Sequence, residues 1–328
     1  MRRIRSTSIE TLAVVVATAL SFAVLEAPAL GQDASGFTIS PPTVELSAKP
    51  GETITKELTV DNTGTGAQLL LTEVRNFTAA GPKGDQVSFS TEPTAFSLAE
   101  WIRVSPSTAN LAVGGSQKFK ISIAVPNPAP PGGHFGAIRF HPQAPATDGN
   151  VRIDQGVNSL ILLRVSGTVV EKLSVAQFAI RPQPGTGAGP TAVASVLKDG
   201  KGEFVLRLNN EGNVHQRPNA TVKVKNVLGQ EVATVAAKDP GNTLPGSTRE
   251  YLIPIDHKTF FGRYSARLEV RAGSSPTALV ATTTFWVVST GAKFVLVAVA
   301  LAFIVLVVTR TRKARKKRRR TRQSPAGE

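Results

Sequence analysis

The side chains able to do covalent or metal chemistry are few in this chain of 328 residues, and their spacing argues against a catalytic centre. There is no cysteine, which removes thiol nucleophiles, thiolate metal sites and disulfides together. The four histidines stand at 134, 141, 215 and 257. His134 and His141 are seven residues apart along an expected strand and its exit. That odd spacing puts them on opposite faces, so these two alone make no metal pair. No Ser-His-Asp arrangement, Gly-x-Ser-x-Gly elbow or His-Glu-x-x-His helix is present. The sequence reads as a non-enzyme without metal or cofactor, and it assigns no catalytic, cofactor-binding or metal-binding residue.

Three other patterns have a bland reading. Leu244-Pro-Gly-Ser-Thr248 has the first letters of a sortase signal, but the Leu-Pro-x-Thr-Gly order is broken, so it reads as a turn before a strand from Glu250 to Ile255. Asn76-Phe-Thr78 and Asn219-Ala-Thr221 match the glycan acceptor pattern, which short sequences meet often by chance. The two tryptophans are Trp101 and Trp286. An exposed tryptophan suits stacking on a sugar, yet a strand tryptophan in a sandwich is usually core, which is the expectation for Trp101. Trp286 lies just before a long apolar run and suits a membrane interface.

The elements that must position these residues are strands. Phe37 to Leu46, Ile54 to Val60, Gln68 to Phe77, Gln86 to Ser90, Lys118 to Val125 and His134 to Phe140 carry period-two or strand-rich patterns, with Gly, Pro or Asn at nearly every gap. Two signatures recur in order. Leu58-Thr-Val-Asp-Asn62-Thr-Gly64 returns as Leu206-Arg-Leu-Asn-Asn210-Glu-Gly212, and Val125-Pro126 leading to Gly133-His-Phe135-Gly-Ala137 returns as Ile253-Pro254 leading to Gly262-Arg-Tyr264-Ser-Ala266. The fold class expected is all-β, with two tandem immunoglobulin-like sandwiches over 36–170 and 171–288 followed by one C-terminal transmembrane helix. Val157 to Val165 is nearly continuously apolar, as for a strand covered on both faces, and is placed last in the first domain. Arg181 to Pro190 then becomes an early loop of the second.

The ends fix an expected location. Arg2, Arg3 and Arg5 precede an apolar stretch from Leu12 to Leu25 and small residues at Ala29-Leu30-Gly31, the order of a signal peptide over 1–31 cleaved after Gly31 or Ala29. Gly291 to Thr309 is 19 residues with one charge, Lys293, enough for roughly 28 Å of helix, only just a bilayer crossing. Residues 310–328 hold ten Lys and Arg side chains against Glu328, so the positive-inside rule keeps this tail cytoplasmic and residues 32–290 outside, with the tail drawn to anionic lipid headgroups. The tail supplies +9 of the net +15, and no nucleic-acid footprint remains elsewhere.

Phe37-Thr-Ile-Ser-Pro, Lys49-Pro-Gly-Glu52, Val60-Asp-Asn62, Glu100-Trp-Ile102, Val125-Pro126 and Pro131-Gly-Gly-His-Phe-Gly-Ala-Ile138 together resemble the WxL-interacting proteins of Gram-positive bacteria, over about residues 36 to 170. The resemblance implies immunoglobulin-like domains, the first binding peptidoglycan, on a membrane anchor with a basic tail. The function expected is a non-enzymatic, single-pass cell-surface adhesion or scaffold protein that binds cell-wall peptidoglycan or other exported surface proteins. The alternative is a membrane-bound sensor or an assembly factor like the pilus chaperones, offering an edge strand to an exported client.

Overall fold

The computed structural model describes residues 36–143, 156–182, 193–237, 241–255 and 261–322. The expected signal peptide, His257 and most of the stretch from Arg181 to Pro190 lie outside the described residues. The N-terminal half contains β1 (Phe37–Ser40), β2 (Thr43–Ala48), β3 (Thr53–Asn62), β4 (Gln68–Ala80), β5 (Gln86–Ser90), β6 (Ile102–Ser105), β7 (Thr108–Leu111), β8 (Ser116–Ala124), β9 (Gly132–Pro142) and β10 (Val157–Val165). The C-terminal half contains β11 (Leu173–Pro182), β12 (Val196–Lys198), β13 (Gly202–Asn210), β14 (Asn219–Asn226), β15 (Glu231–Ala236), β16 (Thr248–Pro254), β17 (Gly262–Arg271) and β18 (Leu279–Val288). A single helix, α1 (Thr290–Arg322), follows.

Each half is a pair of sheets. The N-terminal sandwich has β1-β3-β8-β6 on one side and β2-β10-β9-β4-β5 on the other, with β7 also paired to β4. The C-terminal sandwich has β11-β13-β16 facing β12-β18-β17-β14-β15. The two larger sheets share one strand order, and in each a short strand runs parallel to the last strand, β2 beside β10 and β12 beside β18. The sequence repeat is therefore a repeat of architecture.

Alternation along the strands fills two cores. Leu58 and Val60 of β3, Phe119, Ile121 and Ile123 of β8, Ile138 and Phe140 of β9, and Ile161 and Leu163 of β10 pack in the first, where the Phe119 and Phe140 rings lie 4.7 Å apart. Phe204, Leu206 and Leu208 of β13, Tyr264 and Leu268 of β17, and Phe285 and Val287 of β18 pack in the second. Neither core has a covalent staple, so stability rests on buried apolar area.

The first repeated signature has a specific task. Asn62 and Asn210 are each 1% exposed. Asn62 Oδ1 accepts the Gly64 N–H, while its Nδ2 donates to Gly66 O and Leu111 O. Asn210 Oδ1 accepts the Gly212 N–H, while its Nδ2 donates to Val214 O and Thr243 O. In both places one amide closes the turn after the strand and ties it to a distant segment, satisfying carbonyls that would otherwise be buried without partners.

The second signature is displaced by one residue from the alignment expected. Ile138 and Phe140 face the first core and Phe135 and Ala137 face away from it, whereas Tyr264, Ala266 and Leu268 all face the second core. Gly132 (φ +120°) and Gly262 (φ +148°), both at strand starts, are the matching pair. His134 then corresponds to Tyr264, because a one-residue slip reverses every side chain.

Other expectations shift in detail. Trp101 lies in a 3-10 turn (Ala99–Trp101), half-buried against the first core, with its ring 4.4 Å from that of His134. Trp286 is 47% exposed on the outer face of β18. Arg181, expected in a loop, closes β11, where it is 6% exposed and bonds Glu203. Asn76 is buried, its Oδ1 taken by the Leu98 and Ala99 N–H groups, so it is no glycan acceptor. Leu244 to Ser247 does form a turn before β16, closed by the Ser247 N–H on Leu244 O.

In α1 the uninterrupted apolar run, Phe294–Val308, is 15 residues. At ~1.5 Å per residue it reaches about 22 Å, against a hydrocarbon core of about 30 Å. Among the described residues no helix is long and apolar enough to cross a membrane.

Candidate functional site

The two sandwiches meet along the outer face of the larger N-terminal sheet. Register sets this up: Leu160 pairs with Thr43 and Leu162 with Glu45 across β10 and β2, while Leu162 faces Phe135 across β10 and β9. These residues share the face turned away from the first core. Phe77, Phe135, Ala137 and Leu162 form a separate apolar cluster there, completed by Leu244 from the turn before β16. The near-continuous apolarity of β10 thus has two causes: Ile161 and Leu163 fill the sandwich, and Leu162 packs against its neighbour.

Polar groups fix the joint around that cluster. Asn213 holds the connecting segment and the first sandwich at once. Its Oδ1 accepts the Val170 N–H at 2.7 Å, its Nδ2 donates to Thr168 O at 3.0 Å, and its carbonyl accepts the Gly133 N–H at 2.7 Å. A Cβ on Gly132 would stand 2.7 Å from the same carbonyl, which is why the chain needs glycine there. Lys83 O accepts the Glu250 N–H, and Asn242 Nδ2 donates to Glu45 Oε1 at 2.7 Å, so both hairpin and strand of the first sandwich touch the second. Glu171 donates nothing and accepts from Arg164 Nη1 and from the Ser274 N–H and hydroxyl. Those Ser274 bonds, with Arg164 beside them, hold its carboxyl below the usual carboxylate range against a smaller opposing effect of burial.

Between these contacts lies an open cleft of about 520 Å³. Its floor is Phe77, Leu160, Leu162 and Leu244; its rim carries Glu45 and Asp85 on one side and Arg217 and Arg249 on the other. Arg249 is held in place, donating to Asn242 O at 2.9 Å with its guanidinium 5.7 Å from the Tyr251 ring centre. Gln86 and Val87 of β5 form one wall. That strand ends the larger N-terminal sheet and, among the described strands, pairs only with β4. Its other edge offers backbone N–H and C=O groups beside this cleft of mixed apolar and charged lining. An apolar floor, a rim of both charge signs and a neighbouring strand edge can receive an extended polypeptide. Among the described residues of the lining no hydroxyl is hydrogen-bonded to a base.

The histidines do not assemble. His134 is buried, with Nδ1 3.0 Å from Ser97 O and Nε2 2.9 Å from Pro130 O, a structural role at the first turn of β9. His141 is at the other end of that strand, and His215 sits at the joint with its ring edge toward Phe135, 5.8 Å between centres. Among the described residues no group of His, Asp and Glu could hold a metal ion. None of the cleft residues was read from the sequence as part of a binding site, because they come from positions 43 to 249 and are ordinary surface, turn or core types one by one.

No family model and no curated protein matches this sequence. Solved structures do match. The class 5 fimbriae chaperone CfaA is 12% identical over 75% of this chain and 98% of its own, with a TM-score of 0.40. The E. coli chaperone DraB is 14% identical over 77% of this chain and 98% of its own, at 0.34, and the Pseudomonas aeruginosa CupB2 chaperone is 14% identical over 76% and 100%, at 0.33. The expectation of a peptidoglycan-binding adhesion or scaffold protein is corrected here. The three solved structures named here are of chaperones. In this chain itself, Trp101, the side chain of the first sandwich best suited to stack on a sugar, is engaged with His134 and the core.

Proposed function

We propose that this chain is a membrane-bound, chaperone-like assembly factor that acts by binding rather than catalysis, receiving an extended segment of an exported polypeptide in the cleft between its sandwiches. The observation that carries the reading is the cleft itself: an apolar floor of Phe77, Leu160, Leu162 and Leu244 next to the edge of β5 that pairs with no described strand. Alternate side chains of an extended client would enter the floor while its backbone pairs along Gln86 to Ser90.

Membrane attachment is part of the proposal. The described large apolar side chains of α1 are exposed, from Val308 at 39% to Phe294 at 73%, and an apolar helix of this kind needs an apolar surrounding. Its shortfall in length is met by the uncharged Gly291, Ala292 and Thr309 and by local thinning of the bilayer, with Arg310 reaching to the headgroups. The positive tail sets the orientation, sandwiches outside and tail inside.

The test is a photo-crosslink in the producing cell. A benzophenone side chain at Val87, which lines the cleft, should capture exported polypeptides, and one at Val113, exposed far from it, should not. Equal capture at both positions, or none at Val87, removes the reading.

A further inference from the structure

Isolated exposed valines such as Val113, Val170 and Val280 are ordinary on a protein surface. One group is different. The turn between β14 and β15 presents Val227 at 72% and Leu228 at 78% exposure, two adjacent branched hydrocarbon side chains where a hairpin tip normally carries polar residues. The turn is built to hold them out. Asn226 Oδ1 accepts the Leu228 and Gln230 N–H groups, both at 3.0 Å, and Gly229 takes φ +78°.

Register shows which end of the sandwich this is. Asn226 pairs with Tyr264, Tyr264 with Phe285, and Gly262 with Val287. The tip therefore lies at the end where β18 finishes at Val288, two residues before α1 begins. Phe261, 49% exposed, stands at the same end beside Gly262. Trp286, 47% exposed, and Val196, 50% exposed, are register partners one turn of pleat back from it. Exposed Lys198, Lys201, Lys225 and Arg263 surround this end against Asp199 and Glu231.

We infer that this end of the C-terminal sandwich rests on the bilayer surface, with Val227, Leu228 and Phe261 entering the headgroup region, Trp286 at its level, and the basic side chains on anionic headgroups. The inference rests on the reading of α1 as a membrane anchor. One residue of connection, Ser289, leaves the tip no distance to retreat from the surface into which the helix runs. Apolar tips, an interfacial tryptophan and a basic surround are the composition that lipid interfaces favour. Docking would also fix the tilt of the whole two-sandwich body, and hence the height of the cleft above the membrane.

Because the chain lacks cysteine, single labels can be placed cleanly. Full-length protein carrying Leu228→Cys, Val113→Cys or Leu301→Cys would be labelled with bimane and reconstituted in vesicles of zwitterionic lipid, or of the same lipid with added phosphatidylglycerol, each with nitroxide-labelled lipid. The inference expects loss of emission at 228 and 301 and none at 113, with the loss at 228 deeper in anionic vesicles. Quenching at 301 without quenching at 228 overturns the docked surface and leaves the anchor standing. No quenching at 301 overturns the anchor, and the inference with it. Equal loss at 228 and 113 means general collapse onto the vesicle and also overturns it.

Discussion

Asn62 and Asn210 show how much a single amide can settle. The Asn-x-Gly signature was legible because it is local: the residue that closes the turn and the glycine it bonds are two apart. The distant half of the task, donation to Leu111 O or Thr243 O, has no local mark in the sequence. Replacing Asn210 by Ala leaves buried carbonyls and the Gly212 N–H unpaired and should cost about 1–3 kcal/mol. Asn210→Asp should cost more, because a carboxylate would face Val214 O and Thr243 O with no proton to give. Denaturant midpoints of the two variants check this, and equal midpoints would mean the amide is turned the other way. His215 carries a pH term. Burial, with Arg164 adding to it and Glu45 opposing, holds its imidazole below the ordinary histidine value. A depressed folded value means the contribution is complete above the unfolded value, about 6.5, and is lost as pH falls through it. The joint should weaken as pH falls below about 6.5 and through the lowered folded value, and His215→Phe should flatten that part of the profile; an unchanged slope in the variant would assign it elsewhere.

At the level of elements, the strands were readable from alternation and turns, but not what covers them. Val157 to Val165 reads as buried on both faces, which it is; only the packing reveals that one cover is the other sandwich. The offset in the second repeat has a similar cause. Phe135 and Tyr264 are both aromatic and follow Gly, yet they point to opposite faces, since the strand starts at Gly132 in one copy and Gly262 in the other. Leu162 is therefore a probe of the joint rather than of a sandwich core. Leu162→Ala should cost about 2–5 kcal/mol by the usual loss for a buried leucine, expressed as separation of one cooperative melt into two transitions. Leu163→Ala, inside the first core, should instead lower the transition of the N-terminal sandwich. Calorimetry distinguishes them, and identical profiles would contradict the division of β10 into a core face and a joint face.

Over the whole molecule, two copies of one sandwich plan are joined so that Asn213, Asn242, Glu171 and Leu244 set the angle at which a trough opens between them. In the proposed reading that trough is the binding site and α1 holds it at the membrane. Function was the least legible property, because the cleft is assembled from β2, β4, β5, β10 and the turns of the other sandwich, with no motif in any of them. Composition excluded thiol chemistry and pointed away from nucleic acid, but it could not separate a wall ligand from a polypeptide client. The measurement that does so most directly is the photo-crosslink from Val87, read by mass spectrometry of the captured species. The account predicts exported polypeptides joined through an extended, alternately apolar segment, with no capture from Val113. Capture of wall glycan from Val87, or of nothing, would contradict it.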